Sequence, residues 1–391
     1  MGRQKALSVF LLIVLSLLLS GCWNRRELGN LSIVEGVGID KTNDGQICLT
    51  VQILKPDAIK GKSGESSNEK AFFTLTSTGK TLQEAFRNAT KESDKKLYLW
   101  QMKIIVIGEE AAKIGIAPLL DLFNRDQEDR RTWLLFIARG KAQDILEAEH
   151  PQEKIPAKAI ESLAKATVST SQIPKVILHD YLKTIASKTS APFIPGIEVI
   201  EEKKAEKPKK KLKLEGTAVF KEDKLIGWLD KKETRGLLWI LGQVKSGVLI
   251  VNSPGDEDKY VSLEIIRASS KIKPKFIDGR FVMNVKVTET GNLSEQLSEV
   301  HLTTPETFKQ LEEKQKTAIH DEINAAIVKV QKELGVDVFK FGEAVHREFP
   351  QEWKKLKTNW DEEFANIDIN VEVDANLRNV GMIMQTEKAI E

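Results

Sequence analysis

One long stretch of this chain, residues 6–20, holds only apolar residues and serine; elsewhere apolar residues come in shorter runs or recur with the period of a strand or a helix. Residues 30–41 and 46–56 read as two strands, with Asn43-Asp44-Gly45 as the turn between them. Residues 60–70 are rich in Gly, Ser and Lys without an apolar side chain, which predicts a loop. Residues 71–77 form another short strand. Thr81 and Glu84 have capping-box spacing, and Leu82, Ala85, Phe86 and Ala89 then make one helical stripe. A largely buried strand is expected over 97–108, and a helix over 109–124 that Gly115 and Pro118 interrupt. A strand in RTWLLFIARG and a helix in KAQDILEAE continue the alternation. Residues 157–187 read as irregular helix with a break at Pro174, and APFIPGIEVIEE as extended chain.

Past a lysine-rich stretch, a hairpin is expected that turns at Lys221-Glu222-Asp223-Lys224. A helix in ETRGLLWILGQV, a strand in SGVLIVNS and two long strands joined at Asp278-Gly279 follow. The longest helix is expected over 305–334, capped by Thr303 and Glu306 and ended by Gly335, with Phe308, Leu311, Ile319, Ile323, Val330 and Leu334 on its apolar side. An amphipathic helical piece is expected over 338–360. Ile367, Ile369, Val371 and Val373 then alternate as one face of a half-buried strand. The pattern predicts an α+β (mixed α/β) chain of more than one domain, with mixed sheets flanked by helices. Its divisions are 1–21, an N-terminal α/β region at 22–205 that is open to further division, a charged linker at 206–213, and a C-terminal α+β domain at 214–391 with the long helix.

Arg3 and Lys5 are the only charges before residue 25. As a helix the apolar run would reach about 22 Å, short of the roughly 30 Å of a bilayer core. A basic start, an apolar middle and small residues before a cysteine make a secretory signal. Leu19, Ser20 and Gly21 form a lipobox before Cys22, with cleavage between Gly21 and Cys22. The Cys22 thiol would carry a diacylglyceryl group and further acyl chains, and two lipid signals suffice for stable anchoring. Membrane lipid is thus an expected partner, and no other cofactor is expected. Trp23 would lie at the membrane interface, where indoles favour the headgroup level. Arg25, Arg26 and Glu27 are, with Trp23, the candidate contacts to membrane or partner.

Removal of residues 1–21 leaves 57 basic residues of the original 59, against 57 acidic, so no global field attracts nucleic acid. Cys48, the only other cysteine, reads as a small apolar strand residue. The lysines at 207, 209, 210, 211 and 213 read as a solvated linker and charged edge. Gly61-Lys62-Ser63 lacks the earlier glycine of a P-loop, Pro56 standing there. Gly36-Val37-Gly38 lacks the third glycine of a dinucleotide fingerprint and reads as close packing or a bulge. Ser93 and Lys96 have the spacing of a penicillin-binding nucleophile without its companion motifs. Glu343 and His346 alone do not make a metal site. No catalytic set and no metal ligands are expected.

The stretch GCWNRRELGNLSIVEGVGIDK resembles the mature start of the Ger(x)C lipoproteins, the C subunits of bacterial spore germinant receptors. The likeness rests on Cys22, Trp23, Arg26, Glu27 and Gly36-Val37-Gly38-Ile39-Asp40, with Asn24 where Asp is usual. The block from Lys103 to Leu146 is similar to their middle part, with Gln101 where His is expected, and GTAVFKEDKLIGWLDKKETRGLLWI resembles the opening of their C-terminal domain. The resemblance implies three α/β-type domains and a non-enzymatic subunit on the outer face of the inner spore membrane. Its implied partners are two integral membrane receptor subunits, an A-type and a permease-like B-type. A solute-binding lipoprotein of a membrane transporter is the competing reading, since it would share anchor and length.

Overall fold

The computed structural model describes residues 2–18, 28–59, 70–125, 131–202 and 209–378. Its strands are β1 (Leu31–Lys41), β2 (Ile47–Leu54), β3 (Phe72–Gly79), β4 (Lys96–Tyr98), β5 (Ile104–Gly108), β6 (Leu134–Ala138), β7 (Phe193–Glu202), β8 (Lys209–Lys221), β9 (Lys224–Leu229), β10 (Gly247–Ser253), β11 (Asp256–Ile277), β12 (Arg280–Gln296) and β13 (Asp368–Leu377). They fall into two sheets. The first runs in the order β3-β2-β1-β5-β6-β7-β8-β9, with β4 also on β1; the second runs β10-β11-β12-β13. The fold is mixed α+β, as the alternation of patterns predicts.

In the first sheet β1, β5, β6 and β7 are parallel, and antiparallel hairpins flank them on either side. The parallel strands are apolar on both faces because both are covered. Val37, Ile39, Ile105, Ile107, Leu135 and Ile137 face the helices that carry Phe123 and Tyr181. Ile104, Val106, Phe136 and Ala138 face the helices Ala142–Glu147 and Pro156–Ala166. The second sheet has one covered face. The helices Lys231–Ile240 and Pro305–Ile327 and the short C-terminal helices pack there around Leu263, Met283, Val285 and Val287. Three apolar clusters therefore rest on two sheets, where the resemblance implied three α/β-type domains.

Several expectations change in the structure. The strand expected over 97–108 is interrupted, because five residues (99–103) stand opposite only two of β1 (34 and 35). The chain loops out there and rejoins through the Lys103 N–H, which donates to the Glu35 carbonyl. The long helix is capped by Thr304, not Thr303: the Thr304 hydroxyl accepts from the Thr307 N–H at 3.2 Å. Its last turns, Val328–Leu334, widen to π-helix before Gly335, at φ 65, ends it. The piece expected over 338–360 is three short helices, Phe341–Glu348, Pro350–Leu356 and Trp360–Asn366. Pro350 forces Phe349 out of the helical region and starts the next helix. The stretch 206–213, expected as linker, lies partly outside the described residues. Its remainder, from Lys209 on, is strand, and β8 and β9 complete the first sheet on the free edge of β7.

Candidate functional site

The lipobox, Cys22, and the contacts at Trp23, Arg25, Arg26 and Glu27 lie outside the described residues. So does the Gly61-Lys62-Ser63 loop. The helix Gly2–Leu18 precedes the lipobox. No helix among the described residues is long and apolar enough to cross a membrane. The described chain resumes at Leu28 and enters β1, which carries the Gly-Val-Gly-Ile-Asp motif.

That motif is a seat for helices. β1 has a bulge between Val34 and Gly36. A Cβ on Gly36 would lie 3.0 Å from Ile104 and 3.1 Å from Ala157; one on Gly38 would lie 3.0 Å from Leu146. Without side chains, the two glycines let both covering helices approach the strand. Asp40 then holds the first of them: its carboxylate accepts from the Ala142 and Gln143 N–H groups at 2.9 and 3.0 Å. Burial raises the Asp40 pKa, and these two bonds oppose the rise. Gln52 on β2 ties the same helices, donating to the Leu146 carbonyl at 2.6 Å and accepting from the Ala157 N–H at 3.0 Å. Both bulge and close packing are present, as read from the sequence.

A second buried constellation joins the halves of the chain. Asp337 is fully buried and accepts from the Phe341 N–H (3.2 Å), the Gly342 N–H (2.7 Å) and the Trp360 indole (3.0 Å). Desolvation raises its pKa to about 6 against these three donors. Its own carbonyl accepts from the Ala191 N–H of the N-terminal half at 2.7 Å. Gly342 is needed here, since a Cβ would lie 2.3 Å from the Thr189 carbonyl oxygen. Beside this junction lies a cleft of about 670 Å³ whose walls include Lys188, Lys221, Lys357 and Trp360. A neighbouring cleft of about 410 Å³ holds Tyr181, Lys340, Glu343 and His346.

The third constellation lies under the second sheet. Arg235 donates to Glu322 through Nε at 2.7 Å and through Nη2, and also to the Val248 carbonyl at 3.1 Å. The Trp239 indole donates to the same carboxylate at 2.8 Å. Gly236 lets the two helices touch: a Cβ there would lie 2.0 Å from the Glu322 carbonyl oxygen. Asp230 caps the shorter helix in a full capping box with Glu233, a signal readable in Asp230-x-x-Glu233. Farther along, Glu289 of β12 and Gln315 of the long helix are fully buried together. Gln315 donates to one Glu289 oxygen, while Glu289 Oε1 and Gln315 Oε1 have no protein partner. Burial pushes the Glu289 pKa up to about 8.

The other sequence candidates are placed as follows. Ser93 ends a helix, its hydroxyl donating to the Lys95 carbonyl at 2.7 Å and lying 3.3 Å from the Ser32 hydroxyl. His346 lies against the Trp353 ring at 5.7 Å. Cys48 is half-buried in β2, and burial pushes its thiol pKa up. Among the described residues no group of three His, Cys, Asp or Glu side chains is placed to hold a metal ion. The motif residues shared by sequence and structure thus cap helices, permit close approach or join the two halves.

The family described as spore germination protein N-terminal domain matches residues 24–199. The family described as spore germination B3/GerAC like, C-terminal, matches residues 215–381. Spore germination protein KC of Bacillus subtilis (strain 168) is 30% identical, over 97% of this chain and 97% of its own length. Spore germination proteins B3 and A3 of the same organism are 27% and 28% identical and are covered over 100% and 97% of their lengths, against 97% and 95% of this chain. A crystal structure of the GerBC protein superposes with a TM-score of 0.58 at 24% identity, covering 91% of this chain and 100% of that one. That likeness is one of fold.

Proposed function

This chain belongs to the Ger(x)C family of spore germination proteins, and from that premise we propose that it is a lipid-anchored, non-enzymatic subunit of a nutrient germinant receptor. The observation that carries the reading is the order of its parts. Leu19-Ser20-Gly21-Cys22 stands directly before two segments that match spore germination families and fill nearly the whole remaining chain. The acyl chains on Cys22 would hold the body at the outer face of the inner spore membrane. Trp23, Arg25, Arg26 and Glu27 would set its orientation there. The partners would be the A-type and the permease-like B-type integral membrane subunits.

The interior supports a body built for contact. Three of its buried acids are engaged in holding structure: Asp40 caps a helix, Asp337 joins the halves, and Glu322 pairs with Arg235. The topology argues against a solute-binding lipoprotein, which normally has two doubly wound lobes; the second sheet is three antiparallel strands with one parallel strand added.

The test is a pull-down of the tagged, lipidated protein from detergent-solubilised spore membranes, with partners identified by mass spectrometry. Two multi-spanning subunits are the expected partners. A permease recovered with an ATPase would turn the reading toward a transporter.

A further inference from the structure

The β11–β12 hairpin outgrows its neighbours. β10 pairs with β11 only as far as Ile265, and β13 begins opposite Val282. Residues 276–281 therefore project past the third strand as a two-stranded ribbon, closed by Asp278 and Gly279 at φ 48 and 80.

Strand alternation sorts the side chains of this ribbon. Lys271, Lys273, Lys275 and Ile277 share the outer face, and Arg280 stands opposite Ile277. All five are exposed. Residues 271–286 hold five cations and one acid, Asp278. Lys286 is paired with Glu372 of β13, whereas Lys271, Lys273, Lys275 and Arg280 have no ion-pair partner among the described residues. At the end of this charged stretch stand two large apolar side chains, Phe276 at 42% exposure and Ile277 at 50%. Phe276 is braced, its ring 4.8 Å from that of Phe281, which lies 5.4 Å from Phe349.

Lysines and Pro274 on an edge strand block pairing with another strand. That role explains neither Phe276 nor Ile277, large apolar side chains left exposed beside the turn. An apolar end backed by cations suits a surface that is apolar beneath an anionic layer. We propose that the tip of the β11–β12 hairpin docks on an anionic lipid surface. Phe276 and Ile277 enter the headgroup layer there, while Lys271, Lys273, Lys275 and Arg280 meet lipid phosphates. The contact gives the body a second foothold beside the acyl anchor, and in that respect it rests on the anchored reading above.

The full lipidated chain, whose Cys22 thiol is blocked by its lipid, tests this on vesicles with a fluorophore on Asp278→Cys in a Cys48→Ser background and a nitroxide on the lipid headgroup. Quenching is expected on phosphatidylglycerol-containing vesicles. On phosphatidylcholine alone, or with Lys271, Lys273 and Lys275 changed to Glu, it should fall roughly tenfold, given the attraction of each cation to an anionic surface. Phe276→Ser with Ile277→Ser should weaken it on anionic vesicles. The same fluorophore on Asn24→Cys, in a lipidated Cys48→Ser chain whose Cys22 thiol carries the lipid, reports the anchor separately. A quenched label at position 24 with an unquenched tip overturns this proposal alone. An unquenched label at position 24 with a quenched tip overturns the anchored reading alone, and loss of both signals overturns both. Quenching at the tip that is equal on the two vesicle types also overturns it, since charge then plays no part. Circular dichroism melts of each variant, unchanged for these exposed sites, separate docking from folding.

Discussion

Arg235 and Glu322, 87 positions apart, meet as a two-pronged ion pair where the shorter helix crosses the long one, and the Trp239 indole shares the same carboxylate. Their side chains are only 11% and 10% exposed, so neither charge has bulk water to fall back on. Removing one partner leaves the other charge buried, at a cost of about 3–5 kcal/mol. Glu322→Ala and Arg235→Ala should each lower urea-unfolding stability by that amount. The double change Arg235→Met with Glu322→Leu should cost less than the sum, because no lone charge remains.

Gly236 sets the distance over which that pair forms. Ala there would drive a methyl group into the Glu322 carbonyl and Ala326. Overpacking of this kind costs about 1–3 kcal/mol, and more where backbone must shift. Gly236→Ala should destabilise by at least about 2 kcal/mol in denaturant unfolding and should also weaken the Arg235–Glu322 coupling in a double-mutant cycle.

Glu289 should make stability depend on pH. Its folded pKa, near 8, lies above the unfolded value of 4.5, so the folded state binds the extra proton between them. The stabilisation is complete below pH 4.5 and is lost as pH rises toward 8. Glu289→Gln keeps the shape, removes the titration and adds an amide donor. It should flatten the unfolding free energy across that window and stabilise the protein on the order of 3 kcal/mol at its upper end. Urea melts at several pH values check both.

On the anchored reading proposed above, Cys22→Ala should release the protein from the membrane. With lipidation blocked, no helix among the described residues is long and apolar enough to cross a membrane, and the hairpin tip is left as a weaker surface contact. Fractionation of spore lysates should move the protein from the membrane pellet toward the soluble fraction, with loss of germination through this receptor.

Local signals in the sequence carried most of the architecture. Asp278-Gly279 marked the tight turn, the alternation from Ile367 to Val373 marked β13, and Gly36 and Gly38 marked close packing. Signals one residue apart misled: Thr303 and Thr304 both have capping chemistry, and only the backbone angles choose Thr304. The interruption over 99–103 was illegible because Leu99, Trp100 and Met102 carry the apolar pattern on into β5. Its cause is a mismatch in length against β1. The buried constellations were hidden for a related reason. Asp337 with Trp360, Glu289 with Gln315 and Arg235 with Glu322 look like ordinary surface acids and helix polar residues until tertiary packing removes their water.

The sheet assignment of β8 and β9 bears on how this family can be recombined. The family signature divides the chain after residue 199 and resumes at 215, yet β8 starts at Lys209 and β9 ends at Leu229, and both belong to the first sheet. Arg139 beyond β6 stacks on Trp228 of β9 at 4.1 Å, so the last strands are bolted to the parallel centre. A chimera spliced at the signature boundary would marry one parent's β7 to another parent's β8 and separate Arg139 from its tryptophan. A splice at Asp230, where the sheet is finished and the capping box begins a new helix, would exchange whole bodies. The unit that is recognised in sequence and the unit that folds are offset by one hairpin.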